Sequence, residues 1–130
     1  MTDDEILSQL AVLPTAEIAK QSVLVYRCAR GCALLCVLAI DGRRFGYKPA
    51  VKRSDALNER NSVPAARETK TTDGDRRWRP YPFPMSAAGG WLLAECDHVH
   101  ARVDCDSIDA DIRAAPRRPH TIRLSHNEVR

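Results

Sequence analysis

Apolar residues recur at Ile6, Leu7, Leu10, Ala11 and Leu13, the spacing that lays one face of a helix against a core. Thr2 precedes this run and Glu5 follows it by three, a capping-box pattern, so a short helix is predicted over Asp3 to Leu13. Pro14 stops it, and Thr15, Ala16, Glu17 and Ile18 can open a second helical turn. The pattern then changes. Val23, Leu24, Val25 and Tyr26 favour β structure and are too few for a buried helix, which predicts a strand from Ser22 to Cys28. Ala33 to Ile40 is a second apolar run closed by Asp41-Gly42, a hairpin signal, and Arg44 to Ala50 returns with Phe45 and Tyr47 on one face.

Residues 51 to 86 break the periodicity: the segment is polar and basic, holds Pro64, Pro80, Pro82 and Pro84, and reads as one long loop. Loops of that length inside a small domain are usually either functional or disordered, so this is where a partner surface is expected. Gly89-Gly90 releases a last strand from Trp91 to Cys96. Asp106 to Ala115 is predicted helical, with Asp106 or Ser107 as cap, Asp109 and Asp111 near the positive end of its dipole, and Pro116 as stop. The expected fold is α+β: a small antiparallel sheet of about four strands, short helices before and after it, in a single domain over residues 1 to 115, with a mobile basic tail over 116 to 130.

Composition adds a constraint on chemistry. The chain has 130 residues, 44% of them hydrophobic but only 5% aromatic, so its core is modest and a bound metal would reinforce it. No apolar run approaches a membrane span, and Asp3, Asp4 and Glu5 stand where a signal peptide would carry basic residues. A cytoplasmic protein with five cysteines points to reduced thiols and metal binding over a disulfide framework. Two short clusters concentrate soft ligands: Cys28-Ala29-Arg30-Gly31-Cys32 and Cys96-Asp97-His98. A turn through Gly31 can aim both thiolates at one point, and in an extended strand Cys96 and His98 would share a face. Together they read as one structural zinc (Zn2+) site with zinc-ribbon-like knuckles, held by Cys28, Cys32, Cys96 and His98. His100 has the same strand parity as His98 and is its rival. Cys36 sits in an aliphatic strand and reads as core, and Cys105 as an inert thiol at a helix start.

Thiolates and an imidazole that fill a tetrahedral shell leave no place for an activated water, which disfavours an enzyme and a small-molecule substrate. No nucleophile elbow, phosphate-binding glycine loop or H-E-x-x-H helix is present. Asp73-Gly74-Asp75 reads as a turn.

The net charge of +3 hides segregation. Residues 43 to 80 carry eleven Lys or Arg against five acids, and residues 94 to 111 carry six acids against Arg102. Arg76, Arg77 and Arg79 interleave with Trp78, Tyr81 and Phe83, a combination that suits nucleic acid, where guanidinium groups pair with phosphates and rings stack on bases. The alternative is that the loop folds Trp78 and Phe83 over the sheet as a lid. The expected function is a non-enzymatic zinc-binding module that recognises nucleic acid; the alternative is a protein–protein adaptor, for instance a phage factor engaging a host protein.

Tyr26-Arg27-Cys28, Asn61-Ser62-Val63-Pro64-Ala65-Ala66-Arg67, Thr71-Thr72-Asp73-Gly74-Asp75-Arg76 with Trp78, and Cys96-Asp97-His98 occur in that order over roughly residues 24 to 115. In these motifs the chain resembles small uncharacterised zinc-ribbon-like proteins of actinobacteria and their bacteriophages. The resemblance implies a shared fold and metal knuckle and carries no activity. Cys36 and Cys105 are additions to that pattern, so a further thiol near the site is an alternative to His98.

Overall fold

The computed structural model describes residues 1–49, 68–70, 76–78, 80–85, 90–115 and 117–130, with 68–70 and 76–78 described as backbone. Helix α1 (Asp3–Val12) begins as its sequence predicts: Thr2 Oγ1 accepts from the Glu5 N–H at 3.2 Å while the Glu5 carboxylate reaches back to the Thr2 N–H. Pro14 separates it from a second helix, α2 (Thr15–Gln21). Three strands follow, β1 (Leu24–Cys28), β2 (Ala33–Ile40) and β3 (Arg43–Lys48), and they pair antiparallel in chain order. The turn between β2 and β3 places Asp41 at φ 52° and Gly42 at φ 72°, the left-handed pair that a tight hairpin needs and that an Asp-Gly dipeptide tolerates best.

Beyond β3 the structure departs from the predicted long loop in two places. A short antiparallel hairpin joins β4 (Glu68–Lys70) and β5 (Arg76–Trp78), and β6 (Tyr81–Pro84) pairs with β3 at the edge of the main sheet. Pro82 and Pro84 made this segment read as loop, but an edge strand needs only one of its two sides to donate, so prolines are accommodated there. Phe83 lies over Gly46, and a Cβ at that glycine would collide with the Phe83 ring. Phe83 is buried, but from an edge strand of the sheet itself, where the lid reading had a loop folded over it; the Trp78 side chain lies outside the described residues.

A hairpin of β7 (Trp91–Glu95) and β8 (His100–Asp104) forms a separate two-stranded sheet, followed by α3 (Cys105–Ala114). The segment expected as a mobile tail instead supplies β9 (His120–Leu124), which runs parallel to β1 and buries Ile122 and Leu124. The predicted antiparallel sheet of about four strands is therefore a mixed sheet of five, in the order β6-β3-β2-β1-β9. Ile122 and Leu124 alternate with polar residues, which is the strand signal that the arginines of this segment obscured. Past β9 the backbone continues along β8, with bonds from the Arg102 N–H to the Glu128 carbonyl at 2.9 Å and from the Asp104 N–H to the Arg130 carbonyl at 2.7 Å.

The central strands are apolar on both sides because both faces of the sheet are covered. Val25, Cys36, Leu38, Phe45 and Tyr47 pack on Ile6, Leu10 and Ile18 of the helices. Leu24, Tyr26, Cys28, Leu35 and Val37 point the other way, onto Leu92, Ala94, Ala101 and Val103 of the β7–β8 hairpin and Ile108 of α3. A bulge between Tyr26 and Arg27 lets Leu34 join Leu35 on that side. The fold is thus α+β in three layers: helices, five-stranded sheet, hairpin with helix. Among the described residues no helix is long and apolar enough to cross a membrane.

Candidate metal centre

Two turns, one from the five-stranded sheet and one from the β7–β8 hairpin, meet at the rim of the core between those two layers. The first joins β1 to β2: the Gly31 N–H bonds the Cys28 carbonyl at 3.0 Å, the Cys28 N–H bonds the Cys32 carbonyl at 3.1 Å, and Gly31 takes φ 90°, a conformation that side chains rarely adopt. The second joins β7 to β8, closed by the Cys96 N–H on the Val99 carbonyl at 2.9 Å. Cys96 and His98 therefore lie in a tight turn, where an extended strand was expected, and it is the turn that brings both side chains to the same side. The His98 N–H also points at Cys96 Sγ, 3.3 Å away.

The ligand atoms of Cys28, Cys32, Cys96 and His98 all lie within 4.8 Å of one another, close enough to hold a metal ion. His98 Nδ1 stands 3.6 Å from Cys32 Sγ and 3.7 Å from Cys96 Sγ. A tetrahedral zinc with sulfur at about 2.3 Å and nitrogen at about 2.0 Å has sulfur–nitrogen edges of about 3.5 Å, so these separations fit the metal with little adjustment. Cys28 and Cys96 are buried, Cys32 is half-buried and His98 is exposed, so the centre sits at the rim of the core with its imidazole outermost.

Burial pushes the thiols of Cys28 and Cys32 up. At Cys28 the backbone N–H groups of Cys32 and Arg30, and then the side chains of Cys32 and His98, outweigh burial and bring the thiol down to about 6. Cys32 is raised further by Cys28 and Cys96 and reaches about 11. The Cys28 thiolate forms readily and Cys32 resists a second negative charge; a divalent cation removes that resistance.

The rivals lie elsewhere. His100 places Nδ1 2.9 Å from the carboxylate of buried Glu95. Cys36 is buried on the opposite face of the sheet, against the helices, where burial raises its thiol to about 11. Cys105 is the first residue of α3, half-buried, its thiol raised by burial and then by Asp109, Asp106 and Asp104. Asp109 and Asp111, expected as dipole partners, tie α3 to other elements. Asp109 pairs with Arg44 of β3, and Asp111 accepts from the Tyr26 hydroxyl at 2.8 Å and from two nitrogens of Arg130 at 2.9 and 2.7 Å.

Of the expected partner surface, the backbone of Arg76, Arg77 and Trp78 lies in β5, while their side chains, together with all of Arg79 and the Asp73-Gly74-Asp75 turn, lie outside the described residues. Sequence reasoning passed over the arginines at the first knuckle. Arg30 Nη1 lies 3.2 Å from His98 Nε2, Arg27 donates to the Gly31 carbonyl at 2.9 Å, and Arg123 donates to the Cys28 carbonyl at 2.8 Å. The presence of Arg30 inside the Cys-Ala-Arg-Gly-Cys loop was the available signal. Compared with models of known protein families, with curated proteins and with solved structures, the chain has no match.

Proposed function

We propose that this chain is a small non-enzymatic, cytoplasmic zinc module that recognises a macromolecule, nucleic acid first, with zinc held structurally by Cys28, Cys32, Cys96 and His98. The carrying observation is that the four donors come from two turns on different sheets and approach tetrahedral spacing. Three thiolates and one imidazole complete such a shell, so the metal ties layers together and activates no water. When bound, zinc supplies attraction among groups that repel one another without it. The chain's part is to orient them: Gly31 sets the first turn, backbone N–H groups stabilise the Cys28 thiolate, and the His98 N–H is aimed at Cys96 Sγ.

The basic excess of residues 43 to 80 supports a polyanionic partner. A second reading, the protein–protein adaptor, is favoured by one observation. The Trp91 ring, 40% exposed, lies 5.2 Å from the Arg102 guanidinium, and exposed Val129 bridges to Arg102 from the neighbouring segment. Retention on immobilised single-stranded and duplex nucleic acid at low salt separates the two. The module should be retained and should elute steeply with salt. An adaptor should flow through and bring a host protein with it on purification.

A further inference from the structure

The arginines whose side chains bond elsewhere in this fold are of two kinds. Arg43, Arg44, Arg102 and Arg130 each face a carboxylate within ion-pair distance. Arg27, Arg30 and Arg123 face none among the described residues; Arg27 and Arg123 are oriented by the Gly31 and Cys28 carbonyls of the metal turn, and Arg30 Nη1 lies 3.2 Å from His98 Nε2. Arg27 and Arg123 are cross-strand partners on β1 and β9, which brings their guanidinium groups to one edge of one turn. A guanidinium has five donors in a fixed fork, and a single bond to protein leaves the others available.

The positive surface extends in both directions from this knuckle. Lys20 and Arg27 line a hollow with Pro119, directly after exposed Arg117 and Arg118. Arg30 lines a second hollow with Ser125 and His126 on the other side of Cys28. Asp97, in the opposite knuckle, forms no ion pair among the described residues.

We infer that this strip, with Arg27, Arg30 and Arg123 at its centre and Lys20, Arg117 and Arg118 at its end, is the surface that grips the phosphodiester backbone of a nucleic acid. The inference rests on the nucleic-acid reading above and deepens it, moving the principal phosphate contacts from residues 76 to 79 to the first knuckle. An elongated array of uncompensated cations fits a polymer of phosphates better than a single anion, which one convergent fork would hold. Backbone contacts of this kind carry no base information, so the strip binds without sequence preference. Holding the guanidinium groups on knuckle carbonyls lowers the entropy lost on binding and couples the grip to the integrity of the metal turn.

The test uses the full-length protein and fluorescence anisotropy with a short labelled single strand and its duplex, over a salt series. Two strip variants, Arg30→Gln with Arg123→Gln and Arg117→Gln with Arg118→Gln, are compared with wild type and with the triple variant Arg76→Ala, Arg77→Ala, Arg79→Ala; the second pair makes no knuckle bond, so it stays informative if the first fails to fold. Zinc content and melting temperature are checked in both. Each pair should weaken binding about tenfold or more at low salt and flatten the log–log salt slope on duplex by about 1 to 2. Inorganic phosphate at matched ionic strength should not displace the oligonucleotide, and displacement would mark a single-anion site and overturn the inference. If wild type binds and only Arg76→Ala with Arg77→Ala and Arg79→Ala loses affinity, the strip is wrong and the nucleic-acid reading stands. If wild type binds neither strand nor duplex, the nucleic-acid reading itself fails.

Discussion

Gly46 and the two knuckles show how much rests on single residues. A Cβ at Gly46 would enter the space of the Phe83 ring, so Gly46→Ala should cost about 1–3 kcal/mol as the ring and β6 shift. Denaturant unfolding measures this, and pairing the change with Phe83→Leu should recover part of the loss by making room. At the metal turns, Cys32→Ser and His98→Ala should each lower bound zinc, whereas Cys36→Ser and Cys105→Ser should leave it unchanged, because both thiols lie away from the cluster. Metal analysis of the four purified variants decides it; loss of zinc with Cys36→Ser would show the ligands to be misassigned. The four candidate donors were legible as a set because soft-metal chemistry resides in residue type and short spacing, both present in the sequence. What spacing could not give was the choice between His98 and His100. That choice depends on a tight turn at residues 96 to 99 and on a carboxylate, Glu95, that holds the other imidazole.

Among the elements, α1, α2, β1, β2, β3 and β7 follow the hydrophobic pattern closely, since their periodicity and end signals are local. Strands β6 and β9 do not, because their assignment depends on what they pair with. Prolines disguise β6, and arginines disguise β9 as a solvated tail. α3 is anchored by a network the sequence does not announce, in which Asp111 holds the Tyr26 hydroxyl and the Arg130 guanidinium at once. Burial pushes the Asp111 carboxyl up, but the Arg130 and Tyr26 hydrogen bonds outweigh it and hold the group below its usual range. A carboxyl depressed in the folded state contributes stability that is complete above its unfolded pKa of about 3.9 and is lost as pH falls through the lower, folded value. Asp111→Asn should therefore cost about 1–3 kcal/mol at neutral pH by leaving a guanidinium without its counter-charge. Its stability should also fall less steeply than that of wild type below about pH 4. Thermal melts over an acid series check both; parallel acid limbs would place the depressed carboxyl elsewhere.

For the whole molecule, the candidate metal centre lies where the five-stranded sheet meets the β7–β8 hairpin, with two potential donors from each. Apolar contacts already join the two, so removing zinc should loosen the β7–β8 hairpin before it unfolds the five-stranded sheet. Chelation should lower the melting temperature by about 10 °C, an effect of a few kcal/mol at this size, and should raise amide exchange chiefly in β7 and β8. An unchanged cooperative transition after complete metal removal would argue against a structural role. The central claim is the donor set, and X-ray absorption at the zinc edge of the purified protein addresses it most directly. The prediction is about one zinc per chain, with three sulfurs at about 2.3 Å and one imidazole nitrogen at about 2.0 Å. A shell of oxygen and nitrogen alone, or protein that retains no zinc, would contradict it.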